Sequence, residues 1–550
     1  MNDIKPEAKL ITYLSPNETP SNEDIHIVKE VKFINNKYYD NIRIIKNFKR
    51  PFYITKDIFK NHKDKKESEE LSKVDTYYST QSQLYKNIAK RLNQPTFDTS
   101  PRTINKSPYL YGTSLDSRTY LKYLYMKNNN NFISDYRVGF FDIEYDMLKN
   151  EIIIISLISK KRLTVGILKS FADKIPNIYE KLNYLYSKYI PDNIYKKRLD
   201  IEFVILNTEI ELIRYVMQKA NNYDIDILTA WNVKYDITTI MEAIDKTKYS
   251  YADIFHYDKI PEKYKHFSFK EGKSVKKTEA GREIAIPIEE RWHTIKSSTN
   301  YIIVDTMSVH RYIRAGGATV PGGYSLDNIL KTEGVDTKLK FDSNKGFKGI
   351  EWHLNMIKNK PAEYIIYNIW DVMSMMIMDD KTKDLQVSFP VLSGVSHFDI
   401  FNSGPKRIID ALTFFYLERG RVLGVKDMSE ENDKILGLED WIVTLRSHMM
   451  VDNGLTAIKG LENIITNIRT YVYDLDSVSS YPSCTMAANV SKDTTHRELI
   501  AVAGVPKPIF KYQNINLLYG KTNAVEYCNT MYKMPSLFDL IKAKKENKIV

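Results

Sequence analysis

Arg137-Val138-Gly139-Phe140-Phe141-Asp142-Ile143-Glu144 is the stretch whose reading decides the fold. Its apolar half reads as a β-strand, and the strand ends on two carboxylates that alternation places on one face. Glu151 to Ile158 is a second, β-branched run, so the two predict a hairpin. Further on, Ile210, Leu212, Ile213, Val216 and Met217 fall at helical spacing within Asn207 to Ala220. Leu228-Thr229-Ala230-Trp231 and Ile302-Ile303-Val304 read as strands, and Ser325 to Leu330 and Tyr364 to Met378 as helices. Strands and helices therefore alternate from Arg137 to about Asp384, the pattern of an α/β domain. Between them, Phe267 to Ile288 is rich in Lys, Glu and Gly, and its turn residues Gly272 and Gly281 predict a protruding hairpin.

Outside this region, Lys32-Phe33-Ile34 and Pro51-Phe52-Tyr53-Ile54-Thr55 are short strand-like pieces, and the charge run from Lys56 to Lys73 reads as a solvated helix or loop. Apolar runs at Ile409 to Leu417 and Ile442 to Val451 imply further folded units, and no fixed-period repeat is present. A chain of 550 residues is long enough for roughly three to four domains. With 43% hydrophobic and 27% charged residues the composition is globular, which excludes extended disorder and a fibrous repeat. Lys plus Arg exceed Asp plus Glu by 80 − 69 = 11, so a polyanionic partner is expected, nucleic acid before an anionic membrane surface. Frequent Lys, Asn, Ile and Tyr (39 Tyr against 5 Trp) are also what A/T-rich coding favours, which discounts the charge as a signal. Cys484 and Cys528 cannot build a disulfide framework and belong to no zinc-spaced cluster, so a reducing compartment is expected. Met1 to Glu7 holds no apolar leader core, and Ile152 to Ile158 is far short of the roughly 20 residues that span a bilayer. The expected location is the cytoplasm.

Hydrolysing a phosphodiester needs a hydroxide nucleophile and charge neutralisation on the attacking and leaving oxygens. Paired Mg²⁺ ions supply both, and hard cations call for carboxylate ligands. Three acidic sites stand at element ends in order: Asp142-Ile143-Glu144, then Asn232-Val233-Lys234-Tyr235-Asp236 after a strand, then Tyr367-Asn368-Ile369-Trp370-Asp371. In the last, the i, i+4 spacing places the phenol and the carboxylate on one helix face. Asp-x-Glu by itself distinguishes little, since Asp200-Ile201-Glu202 has the same residues; that pair is set aside because it begins its apolar run, Phe203 to Leu206, rather than ending it. A single acidic residue is more often a solvated surface charge.

Taken together these motifs resemble the three exonuclease motifs of family B DNA polymerases, in the tyrosine-bearing class of DnaQ-like 3′–5′ exonucleases. The flanks Asp226 to Asn232, Tyr324-Ser325-Leu326-Asp327 and Tyr364 to Val372 look most like the replicative polymerases of T-even-type bacteriophages. The resemblance implies that Asp142, Glu144, Asp236 and Asp371 hold two Mg²⁺, with Mn²⁺ as a substitute, and that Tyr367 orients the attacking water. It implies for Asn232 a contact with the substrate or with a residue that holds the metal, substrate binding at Tyr235, and a hairpin around Gly281 that helps part primer from template. A histidine at Ile366 would have marked the sister class.

Tyr471-Val472-Tyr473-Asp474-Leu475-Asp476-Ser477-Val478-Ser479-Ser480-Tyr481-Pro482-Ser483 resembles polymerase motif A of the same family. Of two registers, the one starting at Asp476 sets Ser479, Tyr481, Pro482 and Ser483 at the family's spacing. It implies Asp476 as a palm metal ligand, the region of Ser479 as a triphosphate contact and Tyr481 as the steric gate under the sugar. Ser480 departs from the usual Leu. Asn453 to Lys459 resembles the Gly-containing segment before motif A, and Met534 to Lys548 the first fingers helix. No Asp-Thr-Asp of motif C and no fingers Lys motif follow, so no polymerisation is expected from this chain alone.

The expected architecture is thus α/β and α+β multi-domain: an N-terminal domain at 1–130, a DnaQ-like (RNase H-like) exonuclease with a mixed sheet at 131–384, a return segment of the N-terminal domain at 385–440, a partial palm at 441–533 and the start of fingers at 534–550. The expected partners are primer-template DNA, a single-stranded 3′ end, a C-terminal polymerase polypeptide carrying the remaining fingers, palm and thumb, and dNTP only with that half present. No membrane is expected, and the compartment is the host bacterial cytoplasm if the chain is phage-encoded. The alternatives are a stand-alone exonuclease of this fold and a catalytically dead DNA-binding scaffold.

Overall fold

The computed structural model describes residues 5–387 and 412–425, apart from short stretches at 36, 63–64, 67, 95–98, 130–133, 224, 278–280, 315–319, 340, 342–346 and 348, together with the backbone of two strands at 495–499 and 515–519. The chain divides into two compact units, residues 1–426 and 427–550. The described residues form a mixed α/β structure.

The N-terminal part is built on two small antiparallel sheets. β1 (Glu7–Leu14), β2 (Ile25–Ile34) and β3 (Lys37–Lys46) make the first. In the second, β4 (Lys49–Thr55) lies between β6 (Val74–Thr80) and β7 (Leu110–Tyr111), while β5 (Ser68–Glu70) stands apart from it. Three helices, α1 (Leu84–Arg91), α2 (Pro101–Ile104) and α3 (Ser117–Asn128), cover them. Ala8, Ile11 and Val28 pack on Leu121 of α3, and Phe52 and Ile54 on Leu84 and Ile88 of α1. The charge run at Lys56 to Lys73 is partly strand: β5 and two short 3-10 turns are laced by Lys60–Asp57, Lys66–Glu69 and Lys73–Glu70 ion pairs three residues apart.

From Val138 the chain builds a six-stranded mixed sheet. β8 (Val138–Asp146), β9 (Glu151–Ile158) and β10 (Arg162–Leu168) are consecutive antiparallel neighbours, as the hairpin reading of the first two requires. After α4 (Lys169–Ala172) and α5 (Ile178–Tyr189), β11 (Asp200–Leu206) pairs parallel to β10. α6 (Glu209–Asn222) leads to β12 (Ile227–Ala230), parallel to β8, and α7 (Val233–Asp245) follows at once. α8 (Tyr251–Ile254) precedes an excursion in which β13 (Phe267–Lys270) pairs with β16 (Thr294–Ser297) and, beyond them, β14 (Val275–Lys277) with β15 (Glu283–Ala285). Every residue of β14 and β15 is exposed, and Gly281 turns there at φ +77°, a conformation that favours glycine, so the hairpin read around it is present. β17 (Ile302–Asp305) completes the sheet in the order β11-β10-β9-β8-β12-β17, and α9 (Thr306–Arg314) and α10 (Leu326–Thr332) follow.

α11 (Gly349–Asn359) and the 22-residue α12 (Pro361–Thr382) close the domain, with a last turn at α13 (Asp384–Val387). α12 is buried on nearly every side and packs on β8, β9 and α5. Gly166 pairs in register with Ile155, and Ile155 with Ile143, and a Cβ at Gly166 would strike Leu212 and Val216 of α6. Alternation then sets α6 on the Ile143 face and leaves the opposite face, which carries Asp142 and Glu144, to α12. One core of buried residues, from Val138 to Leu385, fills both faces.

An ion-pair cluster ties the N-terminal part to this sheet. Lys29 of β2 pairs with Asp226 at 2.8 Å and Asp40 at 3.3 Å, and Arg137 pairs with the same two carboxylates at 2.8 and 2.7 Å, with Asp226 fully buried. Later, β18 (Arg421–Leu423) returns to pair antiparallel with β5. The second unit shows one antiparallel pair, β19 (Thr495–Leu499) with β20 (Ile515–Tyr519). Apart from that pair, the expected palm and fingers regions, with Asp476, Ser479 and Tyr481, lie outside the described residues, as do the 130/131 boundary and 388–411. Among the described residues no helix is long and apolar enough to cross a membrane.

Candidate active site

The three acidic motifs meet at one place, each brought there by a local rule. β8 delivers Asp142 and Glu144 two residues apart on one face, opposite Ser156 and Ile154 of β9. β12 stops pairing with β8 at Phe140, so the next stretch of β8 edge is open to α7. There Asn232 turns strand into helix with a left-handed φ of +69°, which asparagine tolerates better than most residues. The turn sets Asp236 in the first helical turn, buried and accepting a hydrogen bond from the Ile143 backbone. α12 supplies Tyr367 and Asp371 one turn apart.

Ligand oxygens of Asp142, Glu144 and Asp371 all lie within 4.8 Å of one another. Asp236 falls outside that closest set but is near enough that its charge is the largest electrostatic influence on Asp142. The cleft in front has a volume of about 260 Å³ and is lined by the three carboxylates, Tyr235, Lys338, His353, Tyr364 and Tyr367. Asn232 Oδ1 is buried without a hydrogen-bond partner, and Tyr235 is exposed at the rim.

Crowding acidic groups away from water disfavours their charge. Burial and the neighbouring carboxylates hold Asp142 and Asp236 well above the ordinary aspartate range. Burial lifts Glu144 to about 8, with Asp371 adding to the rise and Tyr364 and Lys338 opposing it. Burial raises Asp371 too, against the pull of Lys338. Such a cluster gains most from a bound cation, and its donor set, all carboxylate oxygen, suits a hard divalent ion. Asp371 fits that use: Oδ2 accepts from Lys338 at 2.7 Å, while Oδ1 is buried with no partner.

Lys338 was not legible in the sequence. It lies between α10 and α11 and donates to Tyr367 Oη at 2.8 Å as well as to Asp371. Burial works against its charge, but Asp371 and Tyr367 more than offset this and hold it above the ordinary lysine range. Its backbone N–H donates to Asp327, and the neighbouring Thr337 carbonyl accepts from the Trp370 indole, so two of the motif-flanking residues fix this loop. Trp231 donates to the Tyr324 carbonyl in the same way. Asp305 was also missed. At the end of β17 it accepts from Val233 N–H at 3.1 Å and Met307 N–H at 2.9 Å, which clamps the starts of α7 and α9 and so the height of Asp236. Burial raises it to about 6. Its only sequence signal is an acidic residue ending an apolar run, the same signal that marked Asp142.

The Asp200–Glu202 pair stands elsewhere. Glu202 binds Lys219 at 2.9 Å, Tyr215 at 2.8 Å and Thr164 at 3.0 Å, a surface network on β11 and α6. No protein-family model matches the chain, and no curated protein matches it.

Proposed function

We propose that this chain carries a divalent-cation-dependent 3′–5′ exonuclease of the tyrosine-bearing DnaQ-like class, within the N-terminal part of a phage-type family B DNA polymerase. The observation that carries the nuclease reading is the convergence of the first and third motifs, more than 220 residues apart, onto one carboxylate cluster with an orphaned buried oxygen, with Asp236 of the second motif near enough to act on Asp142. Asp142, Glu144 and Asp371 would hold the cations, with Asp236 beside them. Bound Mg²⁺ supplies a water acidified toward hydroxide and neutralises charge on the phosphate.

The remaining work falls to the chain. Tyr367 stands in the cleft with its hydroxyl oxygen accepting from Lys338, and its own hydrogen, within reach of Asp371, would turn to a water or phosphate oxygen. Lys338 holds positive charge beside the cluster, where a phosphate would otherwise be repelled. Tyr235 sits at the rim where a 3′ end would enter, and Asn232, at the turn into α7, is assigned a contact behind it. The exposed β14–β15 hairpin is the element we assign to parting primer from template. The polymerase half of the reading rests on the sequence around Asp476 and on the net charge of +11, which suits primer-template DNA. dNTP and a complementary polymerase polypeptide are its proposed further partners.

A 3′-directed assay tests the nuclease reading. The full chain with Mg²⁺ is expected to shorten a 5′-labelled single strand from its 3′ end, and Asp142→Ala to slow this about a thousandfold or more. Trimming that survives Asp142→Ala would sink the site assignment, and no trimming by the unaltered chain would favour a DNA-binding scaffold.

A further inference from the structure

α12 bears a second pair of polar side chains that the reading above does not use. Tyr364 and Asn368 are one turn apart, and both are fully buried. The Tyr364 hydroxyl is hydrogen-bonded to Glu144 Oε2, and Asn368 Nδ2 donates to Asp142 Oδ2 at 2.7 Å. The pairing follows from two repeat lengths. Residues two apart on a strand are separated by about 6.8 Å, and residues four apart on a helix by about 6 Å. A helix lying along the strand in the opposite sense can therefore set one donor on each carboxylate, 364 on 144 and 368 on 142. The other i, i+4 pair, Tyr367 and Asp371, is turned toward the cleft and Lys338.

Behind Tyr364 stands His353 of α11, with Nδ1 2.7 Å from the phenolic oxygen and 3.8 Å from Glu144 Oε2. With a cation on the cluster Glu144 is a carboxylate, which only accepts hydrogen bonds, so the one hydroxyl hydrogen of Tyr364 then goes to Glu144. The phenolic oxygen then accepts from His353, which fixes the tautomer with hydrogen on Nδ1. The chain His353 to Tyr364 to Glu144 is directional, and it occupies Oε2 while leaving Oε1 for another partner. Trp352, with its ring 6.1 Å from that of Tyr364 and 4.9 Å from that of His353, packs the arrangement from the side.

We propose that Tyr364, held by His353, is a positioning residue that orients Glu144 so that its other oxygen, Oε1, meets a divalent cation. This rests on the nuclease reading only for the cation's use, not for its binding. Groups that orient a metal ligand typically change metal affinity about 10–100-fold when removed.

The test uses the full chain, Mn²⁺ alone as the probe, and Tyr364→Phe, which deletes one oxygen and keeps the ring. Mn²⁺ affinity, measured by titration calorimetry or by the spin resonance of free Mn²⁺, is expected to weaken about tenfold or more. The Mg²⁺ concentration for half-maximal trimming should rise in step, with the rate largely recovered at saturating Mg²⁺, and melting in EDTA should fall only by the small amount that one lost buried hydrogen bond explains. His353→Ala, at a half-exposed position, should weaken Mn²⁺ in the same direction without threatening the fold. Wild-type Mn²⁺ affinity in Tyr364→Phe overturns the proposal, as does lost trimming with lowered melting and unchanged Mn²⁺ affinity. A Tyr364-dependent Mn²⁺ affinity in a chain that trims nothing would refute the exonuclease and leave the positioning role standing.

Discussion

Lys338 shows how much one side chain can set the character of a site. It is the cation in contact with Asp371, and it shares its donors between that carboxylate and Tyr367. Replacing it by methionine keeps most of the stem's volume and removes the charge, so the carboxylates repel one another without relief. Because Lys338 is partly exposed, the loss should be smaller than for a sealed ion pair, about 1–3 kcal/mol in EDTA. Mg²⁺ should restore much of that stability to Lys338→Met, since a bound cation replaces the missing charge. Melting curves with and without Mg²⁺ check this, and a deficit that Mg²⁺ leaves untouched would mean that Lys338 acts through packing. The sequence offered no handle on this residue, which is one of 80 Lys and Arg in a stretch without period. Glu202 is the reverse case: its place at the start of an apolar run was enough to keep it out of the cluster, and its contacts with Lys219 and Tyr215 agree.

Elements determine which face each side chain reaches. The alternation of β8 was readable because a strand has a period of two, and the β8–β9 register bears it out by setting Asp142 against Ser156 and Glu144 against Ile154. What lies over each face was not readable, because α6 and α12 are both apolar enough to be buried. The structure settles it through Gly166 of β10, where α6 comes so close that a Cβ would lie 2.4 Å from Leu212 Cδ1. Gly166→Ala should therefore cost about 1–3 kcal/mol by overpacking, despite alanine's better fit to a strand. Urea denaturation measures it, and a Leu212→Ala change in the same chain should recover part of the loss by opening the space. α12 itself was legible as a helix from Tyr364 to Met378 and proves longer, from Pro361 to Thr382, because buried contacts at both ends extend it past the apolar core of the pattern.

Across the molecule, the attachment of the N-terminal sheets to the six-stranded sheet centres on Asp226. Its carboxylate takes Lys29 and the Arg137 guanidinium in a region closed to water, and these cations hold its pKa far below the ordinary aspartate range against the cost of burial. A carboxyl whose pKa is depressed on folding contributes stability above its unfolded value of about 4, and that contribution is lost as pH falls toward the folded value. Asp226→Ala should thus destabilise the protein at neutral pH by about 3–5 kcal/mol, since a buried lysine and a half-buried arginine lose a partner. The gap between variant and parent should narrow as pH drops below about 4. Denaturation midpoints from pH 7 to pH 3 check the sign, and a gap that widens on acidification would refute it. Asp226 was visible in the sequence only as a flank of the second motif, and nothing local to it pointed to Lys29 or to Asp40.

The sequence alone determined β8, β9, β12, β17, α6, α10 and α12 in their order, the three motifs at their element ends and the exposed hairpin. These rest on local periodicity, on where apolar runs stop and on turn residues, all properties of a dozen residues or fewer. Only the tertiary structure decided that Tyr364 rather than Tyr367 holds Glu144, that Lys338 faces Asp371, that Asp305 sets the height of α7, and that Asp226 ties two parts of the chain together. Each is a contact between elements far apart in sequence, decided by which helix lies on which face and at what register. Packing settles that, because burying each polar group with a partner costs far less than burying it alone.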